Sequence, residues 1–205
     1  MLADLSLKEF LSKTAAKSVV PGGGSIAALS AAIAASLSEM VANLTTGKKG
    51  FEVIEQEMRA IAREASQFRE KLLKNIDEDS NAFSGVLAAY KLPKGTDQER
   101  TSRKQAIQEA VRNATLIPLN VAKDAFKIME MAERVIEKGN KNAITDGAVA
   151  VMMARTAVLS ALYNVKINLV SVEDKHFVDE IKKQIDVLET EVRGREREIL
   201  SKVAL

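Results

Sequence analysis

The chain has 205 residues, 46% of them hydrophobic, which is enough apolar material for one large domain or a modest pair. Cysteine is absent, so disulfides, thiol nucleophiles and cysteine metal sites are excluded, and a reducing, cytoplasmic home is expected. With 30 basic and 28 acidic residues the net charge is only +2, and aromatics make up 4%, so neither the charge field nor the stacking surface of a nucleic-acid binder is indicated.

Prolines at 21, 93 and 118 punctuate the sequence, and helical periodicity fills what lies between them. The start, Met1 to Phe10, has neither the basic opening nor the apolar run of a signal peptide. Ser6-Leu7-Lys8-Glu9 is a capping-box pattern and predicts a short first helix. Next comes Pro21-Gly22-Gly23-Gly24-Ser25, leading into an Ala/Ser-rich stretch. Three glycines leave the backbone free to press closely against another group, and Ser25 is expected to cap the second helix. The free N–H groups of such a helix start suit a carboxylate, a phosphate or a polarised carbonyl. The spacing is not the dinucleotide fingerprint, and no lysine follows as in a phosphate-binding P-loop. By itself the pattern fits a tight turn as well as a site.

The stretch Ile26 to Leu44 is apolar but interrupted by serines and by Glu39, so it reads as a buried helix and not a membrane span. That second helix ends near Thr45-Thr46-Gly47. A long third helix runs from about Glu52 to Lys91, before the turn Leu92-Pro93-Lys94-Gly95-Thr96. The fourth begins near Asp97, passes Pro118, where a kink or a fresh start is expected, and stops at Gly139-Asn140. A fifth covers roughly Ala143 to Leu169, and the last runs from about Glu173 to the C-terminus. No strand alternation, internal repeat or low-complexity linker interrupts this. The fold class is all-α, a single-domain bundle of long helices over residues 1–205.

The third helix carries a heptad seam through Met58, Ile61, Ala65, Phe68 and Leu72 to Val86 and Ala89, broken only by Asn75 and Asp79. Asp77, Glu78 and Asn81 fall off the seam and read as solvated. A carboxylate among apolar side chains has its pKa raised by desolvation, the condition a general acid or base needs near neutral pH. A buried polar pair also serves to fix helix register, the reading preferred for Asn75; for Asp79 both readings stand. On the fifth helix Asp146, Ala150, Met153, Ala157, Ser160 and Asn164 share one seam, and Asn168 lies one turn further. Amides there could read a heterocycle's edge, or satisfy backbone groups at the helix end. Asp146 suits the dipole of its own helix start. Lys48, Lys49 and Lys94 lie at helix ends beside glycines, where an acidic ligand tail could meet them. The lone histidine, His176, sits in a charged run and nearly excludes a histidine metal site.

Together these blocks resemble the formiminotetrahydrofolate cyclodeaminase family: Pro21 to Ser25 with its Ala-rich helix, Met40 to Thr45, Asp79-Ser80-Asn81-Ala82-Phe83, Leu92-Pro93-Lys94, Gly139-Asn140 with Asp146, and Tyr163 to Leu169. The resemblance spans about Leu5 to Leu200, with the blocks in the family's order. It implies a helical domain that forms a homodimer and binds a reduced folate, polyglutamylated in some forms. It implies no cofactor beyond that substrate, no metal, no nucleic acid and no membrane. The family's catalytic aspartate falls on Asp79. Gly22, Gly23, Gly24 and Ser25 would then fix a polar group of the folate, with Asp146, Asn164 and Asn168 on its pterin side and Lys48, Lys49 or Lys94 at its glutamate tail. The reaction implied is cyclodeamination of 5-formiminotetrahydrofolate; the cyclohydrolase reaction on the methenyl compound is the alternative, and a non-catalytic helical binding module is a third.

Overall fold

In the computed structural model residues 1–203 are described; residues 204–205, the end of the expected 1–205 domain and of the last predicted stretch, lie outside the described residues. Six α-helices follow in chain order: α1 (Leu7–Ala15), α2 (Gly23–Asn43), α3 (Glu55–Tyr90), α4 (Asp97–Lys138), α5 (Ile144–Leu169) and α6 (Lys175–Leu200). Among the described residues there is no strand, and the fold is all-α. The helix starts are set by local chemistry. Ser6 with Glu9 and Thr96 with Glu99 each form a reciprocal capping box, and the Asp174 carboxylate accepts the Phe177 N–H at the head of α6. The α2–α3 connection turns through Gly47 and Gly50 at φ of 71° and 92°, which glycine alone adopts without strain.

The head of α2 differs from the expected one. Its cap is Gly22, which offers no side-chain acceptor, and Ser25 lies inside the first turn. Glycines without a Cβ let the helix begin two residues before the serine, which frees the Ser25 hydroxyl to reach another helix.

Alanines then set the packing. Ala27, Ala28, Ala31, Ala34, Ala35 and Ala42 of α2 are fully buried, so α2 lies close against α3, α4 and α5. By length and composition α2 could cross a membrane, yet 61% of its apolar window is buried inside the bundle. On α5 the buried face is Ala150, Val151, Ala154, Ala157, Val158 and Ala161. The two helices run antiparallel: Gly23 meets Asn164 at one end, and Thr45 meets Asn140 at the other. α6 is tied on by the buried Glu133 of α4, which receives Arg195 at 2.5 Å and Lys202 at 2.6 Å.

α4 continues through Pro118 without a fresh start. Proline has no N–H for the Ala114 carbonyl one turn back, and the Asn168 amide from α5 donates to that oxygen at 2.7 Å instead. A side chain from a neighbouring helix thus replaces the missing backbone bond.

Candidate active site

Asp79 stands on α3 where that helix crosses the first turn of α2. Its Oδ2 lies 3.1 Å from the Ser25 hydroxyl, which is also 2.9 Å from the Ile76 carbonyl and 3.2 Å from the Ser80 hydroxyl. Ser25 is fully buried, whereas Asp79 is half-buried and keeps a path outward. The fit depends on Gly24: a Cβ there would sit 2.0 Å from Asp79 Oδ1 and 2.5 Å from its Cγ. Any other residue would push the carboxyl away from the helix start. Gly23 admits the third helix in the same way, because its missing Cβ would lie 3.0 Å from the Asn164 amide nitrogen. That nitrogen donates to the Ser160 carbonyl at 2.9 Å.

Burial pushes the Asp79 carboxyl above the ordinary aspartate range, and the hydroxyl and N–H of Ser25 pull in the opposite direction without cancelling it. No charged neighbour contributes. A carboxyl so placed can take and return a proton nearer neutral pH than a solvated one. Among the described residues no three His, Cys, Asp or Glu side chains gather as a metal cluster.

Gly23, Gly24, Ser25, Asp79 and Asn164 therefore meet at one end of the bundle, with Gly22 as the cap beside them. The other residues singled out in the sequence lie elsewhere. Lys48 and Lys49 follow the far end of α2, about 30 Å away by helical rise. There Lys48 donates to Asn140 at 2.8 Å, while Lys49 is exposed. Asp146 is half-buried at the head of α5, about 27 Å along that helix from Asn164. Lys94 lies past the end of α3, which is about 16 Å along the helix from Asp79. It borders a cleft of about 500 Å³ shared with Tyr90, Arg100, Arg103 and Lys104. Asn168 sits one turn beyond Asn164, with its amide nitrogen committed to Ala114.

Seam counting passed over several contributors. Ser80 adjoins Asp79 but falls off the heptad positions, so only the crossing of α2 reveals its hydroxyl beside Ser25. Asp77, read as solvated, is half-buried and ties down the N-terminus, whereas Glu78 is exposed as expected and pairs only with its own helix. Asp77 accepts the Leu2 and Ala3 N–H groups at 2.6 and 3.3 Å, and Glu78 accepts from Asn75 at 2.6 Å. The run of basic residues at 100, 103 and 104 was a legible signal, one turn apart on a predicted helix.

The family model for formiminotransferase-cyclodeaminase matches residues 6–187. A methenyltetrahydrofolate cyclohydrolase of Methylorubrum extorquens is 38% identical over 188 residues, covering 92% of this chain and 90% of that protein. The rat formimidoyltransferase-cyclodeaminase is 34% identical over 94% of this chain, which spans only 36% of the rat protein's length. The crystal structure of a formiminotetrahydrofolate cyclodeaminase from Thermotoga maritima superposes with a TM-score of 0.88 at 30% identity, over 99% of this chain and 98% of that one. The chain belongs to the formiminotransferase-cyclodeaminase family.

Proposed function

We propose that this chain is a folate one-carbon enzyme converting 5-formiminotetrahydrofolate to 5,10-methenyltetrahydrofolate and ammonia, with Asp79 as its proton carrier. The observation that carries this reading is a carboxyl raised by burial yet half-open, seated on a glycine cradle at the head of α2. N10 attacks the carbon of the protonated formimino group on N5, Asp79 accepts the N10 proton, and a neutral tetrahedral intermediate bearing an amino group forms. Asp79 then returns a proton to the formimino nitrogen, which leaves as ammonia. Both nitrogens belong to one bound molecule, so holding the folate bent supplies much of the acceleration. Gly24 lies against the carboxyl and Gly23 brings Asn164 of α5 to the same helix start, and with the cap Gly22 these are the groups to hold the pterin side. The reaction calls on no cofactor beyond the folate.

A second reading has support in the M. extorquens relative, which matches over nearly its whole length. In that cyclohydrolase reaction water attacks the methenyl carbon and Asp79 takes a proton from it. The adduct collapses to the 10-formyl compound as the bond from that carbon to N5 breaks, with one proton passing to N5 and one to solvent. The test follows absorbance of the methenyl compound, with 5-formiminotetrahydrofolate in one cuvette and methenyltetrahydrofolate in another. A rise in the first, abolished in Asp79→Asn, supports cyclodeamination. A fall in the second alone makes the protein a cyclohydrolase, and no change beyond buffer in either removes both readings.

The chain is further proposed to act in the cytoplasm as a homodimer. α5 exposes Val149, Met152, Tyr163 and Ile167, and α2 exposes Ile33 and Met40 with Leu44 just past its end, each at helical spacing. Pairing two copies through these stripes with α2 antiparallel would carry Lys48, Lys49 and Asp146 of one copy toward Asp79 of the other. Lys94, at the cleft beyond α3, is the candidate for the glutamate tail.

A further inference from the structure

The Ser25 hydroxyl has three polar neighbours and one proton to give. Ile76 O, Asp79 Oδ2 and Ser80 Oγ stand 2.9, 3.1 and 3.2 Å from it, and a hydroxyl donates to one acceptor at a time while accepting through its lone pairs. Being fully buried, Ser25 cannot touch a folate without disturbing α2. From this geometry we propose that Ser25 is a positioning residue for Asp79, whose hydroxyl turns with the carboxyl's proton and keeps it hydrogen-bonded in both charge states.

With Asp79 ionised, the Ser25 O–H donates to Oδ2. When Asp79 accepts a proton, the Ser25 O–H swings to the Ile76 carbonyl, and its oxygen then accepts the new carboxyl O–H. Neither state leaves a buried polar atom unpaired, so the proton comes and goes without an unsatisfied group to oppose it. Gly24 and Ser25 of α2, which meet the carboxyl, are neutral, as are the Ile76 carbonyl and Ser80 of α3 around the Ser25 hydroxyl. The nearby acids of α3 are turned to other partners, Asp77 to the Leu2 and Ala3 N–H groups and Glu78 to Asn75. Asn164, which α5 brings to this end, is uncharged.

The inference rests on Asp79 being the proton carrier, and the test separates the two claims. The pH profiles of kcat and KM are measured for the wild type, Asp79→Asn, Ser25→Ala, Ser25→Cys and Ser80→Ala, with the Asp79 carboxyl titrated by carbon-13 NMR in each active protein. Ser25→Ala removes a donor to the charged form, so the Asp79 titration and the acid limb of kcat should move up by about one pH unit. kcat should fall by about tenfold, with KM within about twofold, and Ser25→Cys, a weak donor of similar size, should lie between. Ser80→Ala takes one partner from the Ser25 hydroxyl and leaves the other two, so it should move the limb by less than Ser25→Ala does. If Asp79→Asn is inactive while Ser25→Ala and Ser25→Cys keep the wild-type titration, the role of Ser25 is refuted. It is refuted equally if Ser25→Ala raises KM and leaves kcat alone, as for a substrate contact. An active Asp79→Asn refutes the proton-carrier reading instead. Should Ser25→Ala fail to fold, Ser25→Cys carries the comparison.

Discussion

At the scale of single residues, Asp79 should carry a stability burden that its neighbours do not. Its carboxyl binds a proton more tightly in the folded chain than in the unfolded one. Such a group adds stability where it is protonated, below its unfolded pKa, and gives that up as pH rises through the folded value. Asp79→Asn is therefore expected to melt at or above the wild-type temperature at neutral pH, with the gap closing in acid, while losing about a hundredfold or more in rate. A melting temperature that falls, and falls most at neutral pH, would instead make Asp79 a structural cap for α2. Gly24→Ala gives the complementary result. Its Cβ would arrive 2.0 Å from Oδ1, so the carboxyl must rotate off Ser25 and about a hundredfold in rate should go with it. Gly85→Ala, on the same helix as Asp79 with open space around it, should keep full activity and gain about 0.5–1 kcal/mol in denaturant melts.

Between elements, the Pro118 repair predicts a coupling that neither helix shows alone. Asn168→Ala leaves the Ala114 carbonyl without its donor and should cost about 1–3 kcal/mol of stability. Pro118→Ala restores a backbone N–H for the same oxygen, so in the double variant most of that loss should vanish. Additive losses in urea melts of the single and double variants would show that the Asn168–Ala114 bond carries no weight. The α3 seam was legible from sequence because Met58, Ile61, Ala65 and Leu72 repeat at heptad spacing, and all four are buried. The crossing of α2 over Asp79 was not, since no spacing within α3 says which turn meets the glycines.

For the whole molecule, the apolar stripes of α2 and α5 call for a cover. Tyr163 and Ile167 are each 66% exposed, next to Asn164 at the Asp79 end. In sedimentation the wild type is expected at twice the chain mass, and Ile167→Lys with Met152→Lys at the monomer mass, with the far-UV helical signal retained. A wild type that sediments as a monomer at micromolar concentration would rule the stripes out as a dimer face. Mixing Asp79→Asn with Lys48→Ala subunits tests the antiparallel pairing, because only heterodimers would rebuild an intact site.

Sequence alone determined most of the helices, because their start, stop and packing signals are local, while the head of α2 and the passage of α4 through Pro118 were settled by neighbouring helices. Capping boxes at Ser6 and Thr96, glycines at 47, 50 and 139 and the heptad spacing of α3 all act over one or two turns. Asp79 stood out because a charge on an apolar seam is visible in one dimension. Tertiary structure decided which of the marked residues meet. It set Ser25 against Asp79, gave Asn168 to Ala114, and left Lys48, Lys49 and Asp146 at the far ends of α2 and α5. Those outcomes depend on how alanine-lined helices slide and cross at close range, where contacts between residues 50 or more apart fix the register, and no local pattern records that choice.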